Sequence, residues 1–385
     1  MRSRCVGTFV RIITFLAAAL PAAAQLSNSS LNGAYNFRYL GVTVAPCDCP
    51  VSFIGTVTFD GNGGFKISGQ GNYVNSSGTT QTLTPAASGT YTVFSSGMFY
   101  MDNPFAAAGS NTLLYGGIGQ SGAGQSAVVA SSTESENLDT FFAMPAATSA
   151  SNATLSGTYQ VGSLEFAGGT IGGSRQTFFN MASDGKGGLG TVTINGTSLA
   201  LNNAATTQTS AGATYSVTAN GSGTMTFPAP SGVSAANQLL SGAKNLYVST
   251  DGNWFVAGTP TGYDVVVGIK AMPAGSPNPP LKGIYFFSEL ENYAIGGSAA
   301  GVYAYQGSTN ELGDSAGTEL AHLRVDSDLS YPYDQTSSYT YTFNSSGVAT
   351  YTGLNLAAGG NGSLYLVAGG AGDYYVSLGI QVQAI

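Results

Sequence analysis

The sequence predicts an all-β protein. It should comprise three tandem antiparallel β-barrel, or barrel-like sandwich, domains behind a cleaved leader. Three observations carry this expectation: a composition that favours strands, an apolar pattern of period two, and landmarks that recur in the same order three times.

Composition comes first. The chain holds 55 Gly, 22 Tyr and 19 Phe, and only 8% of its residues are charged. Aromatic and β-branched side chains suit a half-buried pleated surface, and glycine punctuates turns. Past the leader, no helical period of ten or more residues is apparent.

Period two is plain in "YTYTF", where Tyr339, Tyr341 and Phe343 share one face and Thr340 and Thr342 the other. "NSSG" then turns the chain and "VATYT" begins the return. "NLYVSTDGNWFVAG" does the same around Asp251-Gly252-Asn253. Alternation, a turn cluster and renewed alternation make a hairpin signal.

The repeats set the domain count. "LNGAY" at Leu31 recurs as "LSGTY" at Leu155 and "LKGIY" at Leu281, offsets of 124 and 126. "DGNGGF" at Asp60 recurs as "DGKGGL" at Asp184. "TYTVFSSG" at Thr90 matches "TYSVTANG" at Thr214 and "TYTFNSSG" at Thr340. Ordered landmarks at nearly one offset indicate repeated units. The expected organisation is a signal peptide over 1–24 and β domains over 25–149, 150–276 and 277–385. Each would hold about eight to ten strands, closed so as to remove exposed edges. Short polar joints near Pro145–Thr154 and Pro273–Pro280 are expected to separate them, the second a stiff spacer.

The leader shows the three-part pattern of a secretory signal. Arg2, Arg4 and Arg11 accompany an apolar run from Ile12 to Leu20, and Ala22-Ala23-Ala24 supplies small residues for cleavage. The run is too short for a permanent bilayer helix. Export to the medium or the cell surface is the expectation. The formal charge of −8 becomes −11 without the three leader arginines. The remaining basic residues are scattered singly, so a nucleic-acid partner is not expected.

Chemistry-bearing residues are sparse. "DGNGG" reads as a hairpin loop, because a strand rather than a helix follows it and it offers one carboxylate. The third unit reads as lacking this landmark. It gathers acidic residues instead, among them Glu289, Glu291 and Asp334. Glu311, Asp314, Glu319, Asp326 and Asp328 are weak calcium candidates, set against the plainer reading of a solvated acidic face. "DSDLS" lacks the glycine and closing glutamate of the twelve-residue calcium loop. No cofactor is expected. His322 is the one histidine and falls on the more polar face of "ELAHLRV", so it reads as a surface residue. "SGAK" (Ser241 to Lys244) and "GIGQSG" (Gly117 to Gly122) match S-x-x-K and G-x-G-x-x-G, but neither opens a helix. No catalytic set is assembled, and the chain is expected not to be an enzyme. Glycosidase carboxylates pair in space rather than in sequence and stay open. Cys47 and Cys49 flank Asp48 between two prolines. Export favours a local disulfide, with a free dithiol second and a soft-metal or redox role third.

The opening L-x-G-x-Y, the stretch "GTVTFDGNGGF" (Gly55 to Phe65), "VVASSTESENLDTFFAMPA" (Val128 to Ala146) and "ATLSGTYQVGSLEFAGG" (Ala153 to Gly169) carry a resemblance across essentially the whole mature chain. The sequence resembles a group of uncharacterised secreted β-rich tandem-repeat proteins common in soil Acidobacteria. The resemblance implies export and tandem β units but no activity.

The functional expectation is a secreted, non-enzymatic protein with an extracellular interaction or surface-structural role and a partner outside the cell or on its surface. One alternative is a carrier that holds a small apolar ligand in a barrel interior. Another is an integral outer-membrane barrel, against which stands the want of regular ten-residue strands with aromatic girdles.

Overall fold

The computed structural model describes residues 25–106, 111–121, 125–132, 137–202, 204–271, 282–295, 298–314, 317–327, 330–343, 348–352, 356–359, 366–367 and 373–384. The leader, the joint over 273–280 and Asp328 lie outside the described residues.

The chain is almost wholly β and forms three β domains. In the first, β1 (Asn32–Thr43), β2 (Cys49–Asp60), β3 (Gly64–Val74) and the side strand β4 (Thr80–Thr82) lead on to β5 (Ser88–Val93) and β6 (Met98–Asp102). β7 (Leu113–Ser121), β8 (Gln125–Ser131) and β9 (Asn137–Pro145) complete it. β1 pairs with β2 on one side and β9 on the other, so eight strands close into a barrel with β4 hanging on β3.

The second barrel runs through β10 (Ser156–Phe166), β11 (Ser174–Asp184), β12 (Gly188–Ser198), β13 (Thr206–Val217), β14 (Ser222–Phe227), β15 (Gly242–Val248), β16 (Trp254–Gly258) and β17 (Asp264–Lys270). β17 returns to β10 and closes it. The third domain comprises β18 (Lys282–Ile295), β19 (Ser298–Leu312), β20 (Thr318–Ser327), β21 (Ser330–Phe343), β22 (Val348–Thr352), β23 (Leu356–Gly359), β24 (Leu366–Val367) and β25 (Asp373–Ala384). β25 returns to β18. Its last residues, Gln383 and Ala384, also pair with Gln120 and Gly119 of β7, which ties the third sheet to the first barrel.

Alternation decides what fills the barrels. Along β1, Tyr35, Phe37 and Tyr39 point inward among Phe53, Phe59, Phe99, Phe105 and Phe141. The second interior is filled by Tyr159, Val161, Phe179, Met181, Phe227 and Phe255. The outward residues of β1 have a different fate. Leu40 and Val42 join Ile54, Val129 and Phe142 of the first barrel, Val256, Val265 and Val267 of the second, and Phe286, Leu290 and Val302 of the third domain in one further core. Each of the two barrels therefore has its own apolar interior, but the joint over Pro145–Thr154 does not hold them apart. Over Pro145–Thr154, Ala146 donates its amide to the Ala34 carbonyl and Ala150 to that of Ala219, and Ala147 is buried. Burying a Leu- or Phe-sized side chain is worth about 1.5–3 kcal/mol, so the outer faces of the barrels gain by meeting.

Two local devices recur. The Asp60 carboxylate accepts from the amides of Asn62 and Gly64 at 2.7 and 2.9 Å, and Asp184 does the same with Lys186 and Gly188 at the same distances. These donors hold both carboxyls below the usual aspartate range. The third domain does have a counterpart. Asp314 accepts from the Thr318 amide at 2.8 Å between β19 and β20. The sequence hides it because "GDSAGT" spaces its glycines differently. The second device seals a barrel end. The Tyr91 hydroxyl donates to the carbonyls of Asn28 and Leu31, both at 2.9 Å, and Tyr215 donates to those of Asn152 and Leu155 at the same distances. Asn28 and Asn152 in turn accept from the amides of Val93 and Val217.

Candidate functional site

Buried ionisable groups sit at the seam between the barrels, in the third domain, within the first barrel, where the Asp139 carboxylate accepts from Tyr39, Ser131 and Ser132, and on the second barrel, where Arg175 pairs with Glu165. At the seam, β1 carries Arg38 outward between Asn36 and Leu40, and the side chain is fully buried. Nε donates to the Asp264 carbonyl at 2.7 Å, Nη2 to the Gly262 carbonyl at 3.1 Å, and Nη2 stands 3.2 Å from Asp264 Oδ1. Gly258 makes the space, since a Cβ there would lie 2.5 Å from Nε. Lys244, on β15, places Nζ 2.5 Å from Asp264 Oδ2 and 2.8 Å from the Thr259 hydroxyl. Thr259 donates its amide to Oδ1 at 2.7 Å and its hydroxyl to Oδ2 at 2.9 Å. Burial alone would raise the Asp264 carboxyl, but the Lys244 ammonium and the Arg38 guanidinium outweigh it and hold it below its usual range. Ser52 donates to the Gly262 carbonyl at 2.6 Å and Asn72 to that of Thr261 at 3.1 Å, extending the seam.

Sequence reading did not single out Arg38. Its signal was a lone arginine inside the strand "NFRYLGV", one of few basic residues in the mature chain. Lys244 was noticed only as the end of S-x-x-K. Its position on a strand excludes the helix-borne chemistry of that motif, and its ammonium is occupied by Asp264.

In the third domain, one face of β18 is given to docking. Phe286 stacks over Gly117 of β7, where a Cβ would meet the ring at 2.0 Å. The Ser288 hydroxyl lies 2.7 Å from that of Thr140 and donates to the Ala130 carbonyl. The opposite face carries Tyr285, Phe287, Glu289 and Glu291. Glu291 is buried and pushed up to about 8, by burial first and then by Glu289, while the Tyr305 hydroxyl bonds to it. Tyr305, with its ring 5.8 Å from that of Tyr303, is itself raised by burial and by the two glutamates. Glu291 is thus a neutral acid at neutral pH. An interior acid of this kind is a recurrent mark of functional sites, and here its close partners are a second glutamate and two tyrosines.

The calcium candidates do not converge. Glu311 and Glu319 face one another across β19 and β20 and are both buried. Asp314 serves the turn between them. Asp326 lies seven residues along β20 from Glu319, about 23 Å at ~3.3 Å per residue. Asp328 is outside the described residues. Among the described residues, no group of three or more His, Cys, Asp or Glu side chains is placed to hold a metal ion. His322 is exposed beside Leu320 and Ile284. Cys47 and Cys49 are joined in a disulfide around Asp48, whose backbone is left-handed (φ 47°, ψ 50°). No helix among the described residues is long and apolar enough to cross a membrane. Compared with known proteins, the chain matches no family model and no curated protein.

Proposed function

We propose that the protein is an exported, non-enzymatic body that presents a fixed outer surface to an extracellular or cell-surface partner. The observation that carries this reading is the seam at Asp264: its buried carboxylate, held by Lys244 of its own barrel, pairs with the buried Arg38 of the other. A buried ion pair fixes relative orientation more than it adds stability. The purpose served is geometry, which suits a scaffold.

The interiors support the same reading over the carrier alternative, because the barrel positions that would line a ligand cavity hold Phe37, Phe53, Phe141, Phe179 and Phe227. Both barrel interiors are filled with apolar side chains, where a membrane barrel has a polar lumen. The turn carboxylate recurs at Asp60, Asp184 and Asp314 and the tyrosine latch at Tyr91 and Tyr215, which fits copies of one module.

The test uses chain beginning at Gln25. It should be recovered from the medium or the cell surface, remain in solution without detergent, and leave chromogenic glycosides, esters and peptides untouched. Turnover that disappears in Glu291→Gln would overturn the reading, because burial and Glu289 hold that carboxyl well above its usual range, as a catalytic acid would need.

A further inference from the structure

The first barrel carries an aromatic strip that its twin lacks. Phe94, at the end of β5, is 46% exposed, and Met98, at the start of β6, is 55% exposed. The rings of Phe94 and Tyr100 lie 5.8 Å apart, and those of Tyr100 and Tyr115 6.1 Å apart, each step tilted by 49°. Tyr100 and Tyr115 are partners across β6 and β7, and both are half-exposed. The strip therefore runs across three adjacent strands on the outer face, opposite the inward Tyr91, Phe99 and Leu114.

The second barrel supplies an internal control. At the offset of 124, Phe94, Met98 and Tyr100 correspond to Thr218, Ser222 and Thr224. Thr224 pairs with Asn245 as Tyr100 pairs with Tyr115. The same places on the same strands are thus polar where no strip exists. The barrel does not need aromatic residues there for packing. Exposing four large apolar side chains in a row costs solubility, so their clustering marks a contact surface.

The charge pattern narrows the partner. From Ser88 to Ser121, Asp102 is the only Asp, Glu, Lys, Arg or His. Its Oδ2 already accepts from the Thr90 amide and hydroxyl, at 2.6 and 2.9 Å. No cation lies within this stretch to select phosphate or uronate groups, and Lys66 of the neighbouring strand sits opposite Ser88, at the far end of β5 from Phe94. A second copy of this chain would bring a like net charge. An uncharged partner with flat apolar faces and hydroxyl edges fits: pyranose rings present their C–H faces to aromatic rings, while Thr92, Ser95 and Ser96 border the strip with hydroxyls.

We infer that the Phe94–Tyr100–Tyr115 strip, extended by Met98, binds a neutral polysaccharide by stacking its sugar rings. The inference rests on the interaction reading above and names its partner class.

The test replaces the strip with the residues of the second barrel: Phe94→Thr, Met98→Ser, Tyr100→Thr and Tyr115→Asn together. Wild-type and substituted chains from Gln25 onward are mixed with insoluble cellulose, xylan and β-1,3-glucan, and depletion from solution is measured. The wild type should be retained on at least one polymer, and the substituted chain should bind at least about tenfold more weakly. Equal thermal unfolding of the two would show that the barrel is intact. Retention on none of the three polymers, or equal retention of both chains, overturns the inference. So does a wild-type dimer in sedimentation that the substitutions dissociate, or retention on neutral phosphatidylcholine vesicles in place of the sugars. Each of these outcomes leaves the export and turnover tests of the broader reading untouched.

Discussion

Arg38 of the first barrel and Asp264 of the second are locked together: the guanidinium grips both the main-chain carbonyl and the carboxylate of one residue, with both side chains buried. Removing one partner of such a pair strands the other charge. Asp264→Ala leaves both Arg38 and Lys244 without their counter-ion, and should cost about 3–5 kcal/mol. Arg38→Met keeps the apolar stem against the seam and should cost less. Guanidinium unfolding followed by the fluorescence of Trp254, the only tryptophan, measures both. A loss within 1 kcal/mol for Asp264→Ala would show that the seam does not hold the barrels.

The tyrosine latches should behave as a matched pair. Tyr91→Phe and Tyr215→Phe each remove a hydroxyl that bonds two carbonyls at the mouth of a barrel. Each should cost about 1–2 kcal/mol in urea unfolding. An unchanged unfolding midpoint in either variant would show that its hydroxyl bonds contribute nothing to closing the barrel.

Glu291 sets a pH dependence. Its carboxyl is raised from 4.5 to about 8 in the fold, by burial and by Glu289. The folded chain thus holds a proton that the unfolded chain releases across this window. Its contribution to stability is full below about pH 4.5 and falls as pH climbs toward 8, by an amount on the order of a few kcal/mol. Glu291→Gln keeps a neutral hydrogen-bonding side chain and should flatten that slope. Denaturant midpoints measured at intervals across the window decide the matter, and an unchanged slope in the variant contradicts it.

Gly117 and Phe286 control the docking of the third domain. Gly117→Ala puts a methyl into the Phe286 ring and should cost about 1–3 kcal/mol. Limited proteolysis should then cut the third domain faster while the first barrel persists. Adding Phe286→Ala should relieve much of the clash, so the double variant loses less than the sum of the singles. Additive losses would place Phe286 elsewhere in solution.

Much of the architecture could be read from residues alone, because strand periodicity and turn chemistry are local. The hairpin around Asp251-Gly252-Asn253 appears between β15 and β16 as its alternation implied, and Asp60 and Asp184 announced their turns. Asp314 went unseen because the carboxylate clamp needs only an amide four residues on, while the eye looks for the glycine spacing. The acidic run from Glu289 to Asp334 looked like one cluster, but strands spread it. Residues close along a strand alternate between faces, so Glu311 and Glu319 meet while Asp326 does not join them.

Barrel and sandwich both stayed open in the sequence, which by itself determined only the β secondary structure and the turns at Asp60 and Asp184. These follow from side-chain period and backbone preference within a few residues. Only the tertiary structure decided that the barrels share an outer core, that Arg38 reaches Asp264 across 226 positions, and that three rings line up on one barrel and not on the other. Such contacts depend on which surfaces meet when apolar area and charge leave water together, and a linear pattern does not encode that meeting.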